Sequence, residues 1–259
     1  MRLGALALAE GFRHEHLETV GSTNAEVLAR GEDRLWITAG EQMAGRGRRG
    51  RTWVSPPGNL YASLLLRQPA DPRRSADICF IAALALSDAI FEVAPRAAAA
   101  LSLKWPNDVL VDGAKTAGIL VEGSHDGGRF SVVTGCGVNV VSHPPDTPYP
   151  ATHLREHDAT ATAADLFMTL SDAFARRLSQ WQAGQGFAAI RAAWLARAAG
   201  LGRRIVVRLP DGEIDGTFEA LDEEGALILR ADDGRRRTVA AGEIFFPGFG
   251  TAVERDALQ

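Results

Sequence analysis

The sequence predicts an α/β chain: a large unit of alternating strands and helices followed by a small all-β unit. Three observations carry that expectation. Residues 76–94, ADICFIAALALSDAIFEVA, are apolar round most of their circumference, the mark of a helix packed deeply against a sheet. Short apolar runs bounded by Gly, Pro, Asn and Asp flank that helix on both sides, as strands do. At Gly200–Gly202 the texture changes. Beyond it RRIVVRL, GEIDGTFEAL, GALILRA and RRRTVAA alternate apolar and polar residues between PDG, DEEG and DDG turns, the pattern of a small barrel of hairpins. A boundary near residue 200 therefore separates residues 1–200 from residues 203–259.

Phe12 to Val20 reads as a short strand leading into GSTNAEVLARG, where Ser22 or Thr23 can cap a helix that Gly31 ends. LWITAGEQ is the next strand. After the glycine- and arginine-rich GRGRRGR and the turn-forming SPPG, the leucine-rich NLYASLLLR reads as a buried strand. The alanine run Ala97–Ala100 follows the long helix. LSLKWPNDVLVDGAKTAGILVEG then reads as a strand, a turn at Asp112–Gly113 and a second strand with Lys115 near the tip. RFSVVTGCGVNVV is a further strand, SHPPDTPYP a long loop, and two helical patterns run from Thr162 to Ala199.

Composition narrows the classes of function. A chain of 259 residues buries a proper core, and its formal charge of −4 advertises neither nucleic acid nor an anionic membrane as partner. Anion binding must then be local. The two cysteines, Cys79 and Cys136, are too few for a disulfide framework and lack metal-ligand spacing, which fits a reducing cytoplasm. The N-terminal apolar run stops at Glu10, well short of a signal segment, and no stretch is long enough to span a membrane.

The local motif is Gly45 to Arg51, with four arginines and three glycines in seven residues. Glycines let a backbone bend round a ligand, and guanidinium groups offer permanent charge and planar donors to carboxylate or phosphate. Taken alone, the loop reads at least as well as a solvated basic segment or an Arg-Gly nucleic-acid tract. In KWPND, Lys104 to Asp108, the proline must interrupt or edge the strand, so that Asn107 and Asp108 face a site or cap a turn. Lys115 can reach from its strand tip into a cleft or stay on the surface. GCGVNV, Gly135 to Val140, marks close approach of either a ligand or another backbone.

In their order, GSTN, GEQMAGRGRRGRTWVSPPGNLYASL, KWPNDVLV, KTAGILVEG and GCGVN closely resemble the biotin protein ligases, also called biotin–acetyl-CoA-carboxylase ligases. The resemblance runs from about residue 15 to 141, and the C-terminal β unit is similar to that family's SH3-like domain. It implies a mixed, largely antiparallel sheet with flanking helices, related to class II aminoacyl-tRNA synthetases and lipoate ligases, plus an SH3-like β-barrel. It also implies an enzyme that joins biotin and ATP, with Mg²⁺ on the triphosphate, into biotinoyl-5′-AMP and passes the biotinoyl group to a lysine of a carboxylase's biotin carboxyl carrier domain.

By the same resemblance, Ser22, Thr23, Asn24 and Gln42 hold the ureido end of biotin, and Leu120 helps to wall its tail. Gly45, Arg46, Gly47 and Arg48 belong to a loop that closes on the biotin carboxylate and α-phosphate, Arg51 contacts the ATP or adenylate or else anchors the closed loop, and Trp53 stacks on adenine. Lys115 is the main catalytic group with Arg48; Asn107, Asp108 and Asn139 line the nucleotide side, and Lys104 stays without a fixed role. No protein ligand to metal is expected. Some relatives carry an N-terminal winged helix-turn-helix; here about a dozen residues precede the first strand, so a ligase-only form with no DNA partner is expected. Monomer and homodimer both stay open.

Overall fold

The computed structural model describes residues 1–246 except Gly127, Ala159 and Asp211; the end of the expected C-terminal unit, residues 247–259, lies outside the described residues. In chain order the elements are α1 (Ala5–Ala9), β1 (Arg13–Val20), α2 (Thr23–Arg30), β2 (Leu35–Gln42), β3 (Leu60–Arg67), α3 (Asp77–Val93), α4 (Pro95–Ala98), β4 (Leu101–Lys104), β5 (Asp108–Val111), β6 (Ala114–Asp126), β7 (Arg129–Val138), α5 (Leu154–His157), α6 (Ala163–Trp181) and α7 (Phe187–Leu195). The C-terminal strands are β8 (Arg204–Leu209), β9 (Gly212–Leu221), β10 (Leu227–Arg230), β11 (Arg236–Val239) and β12 (Glu243–Phe245).

The first seven strands form one sheet in the order β1-β2-β3-β7-β6-β5-β4. Only the β1–β2 pair is parallel, so the sheet is mixed and largely antiparallel, as the resemblance implied. LSLKWPNDVLV is two strands rather than one, because Pro106 cannot donate to a ladder and the chain turns back through Trp105–Asn107. The short helices α1, α4 and α5 were not expected.

Strand alternation sorts the two faces of the sheet. Trp36, Leu64, Ile119, Val132 and Cys136 join the main core under α3 and α6, while Leu35, Ile37, Leu65 and Val133 point the other way and pack with Val27 of α2. The eight-residue α2 covers only part of that second face. What it leaves open is floored by Gly118, Gly135 and Gly137, side-chain-free positions on the same face as Leu120 and Glu122. The main core is dense. Trp36 is fully buried and meets Phe167 and Phe174 edge-on, with centroids 5.7 and 5.4 Å away.

Strands β8 to β12 pair antiparallel in the order β11-β10-β9-β8-β12. The expected barrel is thus an open five-stranded sheet, because the three-residue β12 pairs β8 and does not reach β11. Its buried face, including Ile205, Val207, Phe218 and Leu229, is continuous with the main core. Trp105 Nε1 donates to Gly225 O at 3.0 Å and fixes the β4–β5 turn against this sheet.

Candidate active site

Segments that lie far apart in the chain are brought by folding to one solvent-open cleft on the glycine-floored face. One end is uncharged and polar. Ser22 occupies the N-cap position of α2 with extended backbone but makes no side-chain cap bond. Gln42 does that work from β2: its Oε1 accepts from Thr23 N at 2.9 Å and Thr23 Oγ1 at 3.0 Å. Gln42 Nε2 donates to Ser55 Oγ at 2.9 Å, and Ser55 Oγ donates to Trp53 O at 2.9 Å. Asn24 is held by two neighbours, its Oδ1 accepting from Ser63 Oγ at 2.6 Å and its Nδ2 donating to Glu122 Oε2 at 2.7 Å. Gly135 makes this possible, since a Cβ there would sit 2.2 Å from Asn24 Oδ1.

The other end is cationic. Gly45 to Trp53 forms a small antiparallel loop, with Trp53 N donating to Gly45 O at 2.9 Å and Gly47 N to Arg51 O at 2.7 Å. Its tip turns at Arg49 and Gly50, with φ of 57° and 73°. Each of three arginines has a defined partner. Arg46 faces Glu122 at 3.1 Å, Arg48 donates to Asn107 Oδ1 at 3.2 Å, and Arg51 grips both carboxylate oxygens of Glu243 at 2.9 and 2.6 Å. A displayed nucleic-acid tract would leave its guanidinium groups unpaired, whereas these three are paired at the wall of the cleft. Arg48 also reaches Gly242 O at 3.4 Å, so the loop spans from the main sheet to the C-terminal one.

Trp53 lies flat on the floor: a Cβ at Gly137 would stand 2.5 Å from its Nε1, and one at Gly118 3.0 Å from its ring. Lys115 reaches the same space through a bulge. Alternation from Gly118, Leu120 and Glu122 would turn Lys115 toward the helices, but the β5–β6 register shifts between Val109 and Leu110, leaving Thr116 as the extra residue. Lys115 thereby shares the cleft face with Gly118, packs beside the rings of Trp53 and Tyr149 at 5.5 and 5.2 Å, and pairs with Asp108.

Electrostatics follow from this crowding. Burial holds Lys104, which lines the cleft, below the ordinary lysine range, and the Asp108 carboxylate only partly offsets it. Burial pushes Glu243 up, but the Arg51 hydrogen bonds and the Arg51, Lys104 and Lys115 charges outweigh it and leave Glu243 below its usual value. The site is a set of cations balanced by carboxylates that an incoming anion can replace.

Of the sequence-derived residues, Ser22, Thr23, Asn24, Gln42, Arg46, Gly47, Arg48, Arg51, Trp53, Asn107, Asp108, Lys115 and Leu120 line this cleft. Two do not. Gly45 is packed behind the loop, where a Cβ would meet Trp53 O at 2.4 Å. Asn139 is buried and donates through Nδ2 to Thr152 O at 3.1 Å, bracing the loop after β7. Asn107 lines the cleft but commits its Nδ2 to Ile119 O at 2.7 Å. Sequence reasoning missed Ser55, Ser63, Glu122, Tyr149 and Glu243. Ser55, Ser63 and Glu122 stand inside the motifs quoted above without being singled out there, and Tyr149 and Glu243 lie outside them; Glu243 comes from the C-terminal sheet, and only three-dimensional folding makes it a neighbour of Arg51.

Residues 21–139 match the biotin/lipoate A/B protein ligase family, and residues 200–246 match the biotin protein ligase C-terminal domain. The chain is 45% identical to a biotin–[acetyl-CoA-carboxylase] ligase of Paracoccus denitrificans, over 90% of this chain and 100% of that protein. It is 31% identical to the bifunctional ligase/repressor BirA of Bacillus subtilis over 79% of this chain and 64% of that one. The fold superposes on a biotin protein ligase from Aquifex aeolicus, solved with biotin and ATP, with a TM-score of 0.79, 26% identity, and 90% and 97% of the two chains covered. With both domains matched in order and a relative aligned over its full length, the chain belongs to the biotin/lipoate A/B protein ligase family.

Proposed function

We propose that this chain is an ATP-dependent biotin–protein ligase that makes biotinoyl-5′-AMP and transfers the biotinoyl group to a lysine of the carrier domain of acetyl-CoA carboxylase or a related carboxylase. One observation carries the reading: a neutral, donor-and-acceptor pocket end (Thr23, Asn24, Gln42) and a cationic end (Arg46, Arg48, Lys115) share one glycine-floored cleft. That is the polarity of biotin, whose ureido group is uncharged and whose tail ends in a carboxylate. An uncharged ureido group buried there needs both donors and acceptors. The names of the Paracoccus relative and the Aquifex complex point the same way.

In the first step a biotin carboxylate oxygen attacks the α-phosphorus, an acyl–phosphate bond forms, and pyrophosphate leaves as the α–β bridging bond breaks. Two anions must meet, so the residues' task is electrostatic. Arg46, Arg48 and Lys115 exchange Glu122, Asn107 and Asp108 for substrate oxygens and stabilise the charge gathering on phosphorus. In the second step the acceptor amine attacks the acyl carbon, AMP departs, and the amine proton passes to solvent. Trp53 offers its face to adenine. Mg²⁺ belongs to the MgATP substrate, held by phosphate oxygens and water.

The domain boundary belongs near residue 200, and the C-terminal unit supplies Glu243 to the cleft instead of serving only as a support. Among the described residues no helix is long and apolar enough to cross a membrane; use of ATP and two free thiols fit the cytoplasm. Pyrophosphate release measured with biotin and then with lipoate tests the assignment. Turnover with lipoate and none with biotin would replace it by a lipoate–protein ligase, and salt-sensitive nucleic-acid binding without turnover by a binding module.

A further inference from the structure

The proline-rich loop after β7 takes no part in the mechanism above, yet its two ends bring three ligating side chains together. His143 follows a segment pinned by Asn59, whose Oδ1 accepts from Val140 N and Val141 N at 2.8 and 2.9 Å. His153 and Glu156 stand at the start of α5. The two imidazoles turn the same atom toward each other, Nδ1 to Nδ1 at 2.9 Å. Glu156 Oε1 lies 3.9 Å from His143 Nδ1 and 3.6 Å from His153 Nδ1.

These three edges define a triangle whose centre is about 2.0 Å from each atom, the distance at which Zn²⁺ binds imidazole nitrogen and carboxylate oxygen. We propose that His143, His153 and Glu156 form a site for one divalent transition ion of the Zn²⁺ class, completed by water, which clasps the ends of the 143–153 loop. Two nitrogens and one carboxylate oxygen are a borderline donor set suited to Zn²⁺ or Co²⁺ over Mg²⁺ or Ca²⁺.

The surroundings hold the carboxylate in place. Thr152 Oγ1 donates to Glu156 Oε2, orienting the carboxylate as an outer-shell partner does. The same residue links the site to the catalytic strand: Thr152 N donates to Lys115 O at 3.0 Å, and Lys115 N donates to Pro150 O at 2.8 Å. Between the clasped ends lies Tyr149, against Lys115. The ion therefore fixes the loop that flanks Lys115, a role independent of the substrate assignment.

The test uses the full chain stripped with chelator, then titrated with Zn²⁺ by calorimetry and with Co²⁺ by absorption. One ion per chain is expected, with a Co²⁺ spectrum lacking thiolate charge transfer, and protection of amides 143–153 from hydrogen exchange only when Zn²⁺ is present. His143→Ala and His153→Ala should each weaken binding by more than the roughly 10–100-fold that even an outer-shell partner is worth. His125→Ala, outside the set, should bind as wild type. Ion-free thermal unfolding checks that the variants fold, with His143→Asn used if His143→Ala does not. Absence of binding, equal binding by the ligand variants, or a thiolate band placing the metal on Cys79 or Cys136 would each overturn the proposal.

Discussion

Lys115 Nζ lies 2.8 Å from Asp108 Oδ1, and the two side chains are only 15% and 14% exposed. A charge this enclosed is held ready by its partner and gains most when a denser negative charge replaces that partner. Lys115→Ala should therefore lower the rate of adenylate formation by about 10²–10³, the usual worth of one electrostatic donor aimed at a transition state. Biotin affinity should change by only a few-fold, because the ureido end binds elsewhere. Single-turnover pyrophosphate release alongside biotin titration separates the two effects; near-normal turnover would remove Lys115 from the chemistry.

The two floor glycines should fail differently. Gly135→Ala places a methyl 2.2 Å from Asn24 Oδ1 and dislodges the residue that ties Ser63 to Glu122. Gly137→Ala places one 2.5 Å from Trp53 Nε1. The first variant should raise KM for biotin and the second KM for ATP, each by roughly 100-fold, the scale of a misplacement of about 1 Å. Equal effects on both substrates in both variants would refute a cleft divided into a biotin end and a nucleotide end.

These glycines also show what the sequence makes legible. GCGVN signals close approach because a strand gives up side chains only where something else needs the space, and the structure supplies Asn24 and Trp53 as the occupants. Local signals of this kind, with Gly31 ending α2 at φ 61°, expose most of the first sheet. Long-range pairing is not written locally. Nothing around Glu243 foretells its grip on Arg51, and nothing around Asn139 separates a nucleotide contact from the brace to Thr152. The direction of Lys115 depends on the Thr116 bulge, which strict strand alternation misplaces.

The arginine loop is fastened at both ends of its reach, by Arg46–Glu122 on the main sheet and by Arg51–Glu243 on the C-terminal one. Half-exposed ion pairs contribute little to stability, so Arg51→Ala should change unfolding free energy by less than about 1 kcal/mol. Its effect should appear in retention of the intermediate. Arg51→Ala and Arg48→Gly should both release biotinoyl-5′-AMP, detected as biotin on bystander proteins incubated with the enzyme. Labelling confined to the carrier domain would show that neither fastening retains the adenylate.

Acid should destabilise the fold through His14. Its ring packs on Phe167 with centroids 4.6 Å apart and its Nε2 sits 2.8 Å from Thr38 Oγ1. Burial, and then the charges of the N-terminus and His16, lower its pKa from 6.5 to about 4. The unfolded chain therefore takes up this proton near pH 6.5 while the folded one resists until about pH 4. Stability from a neutral His14 is fully present above the unfolded value and lost as pH falls through that window. Discounted for partial exposure, the loss is on the order of 1–3 kcal/mol. Urea unfolding at a series of pH values should show this slope in the wild type and a flatter one in His14→Phe, which keeps an aromatic ring against Phe167 and has no proton to gain. Parallel slopes in the two proteins would assign the acid sensitivity to other groups.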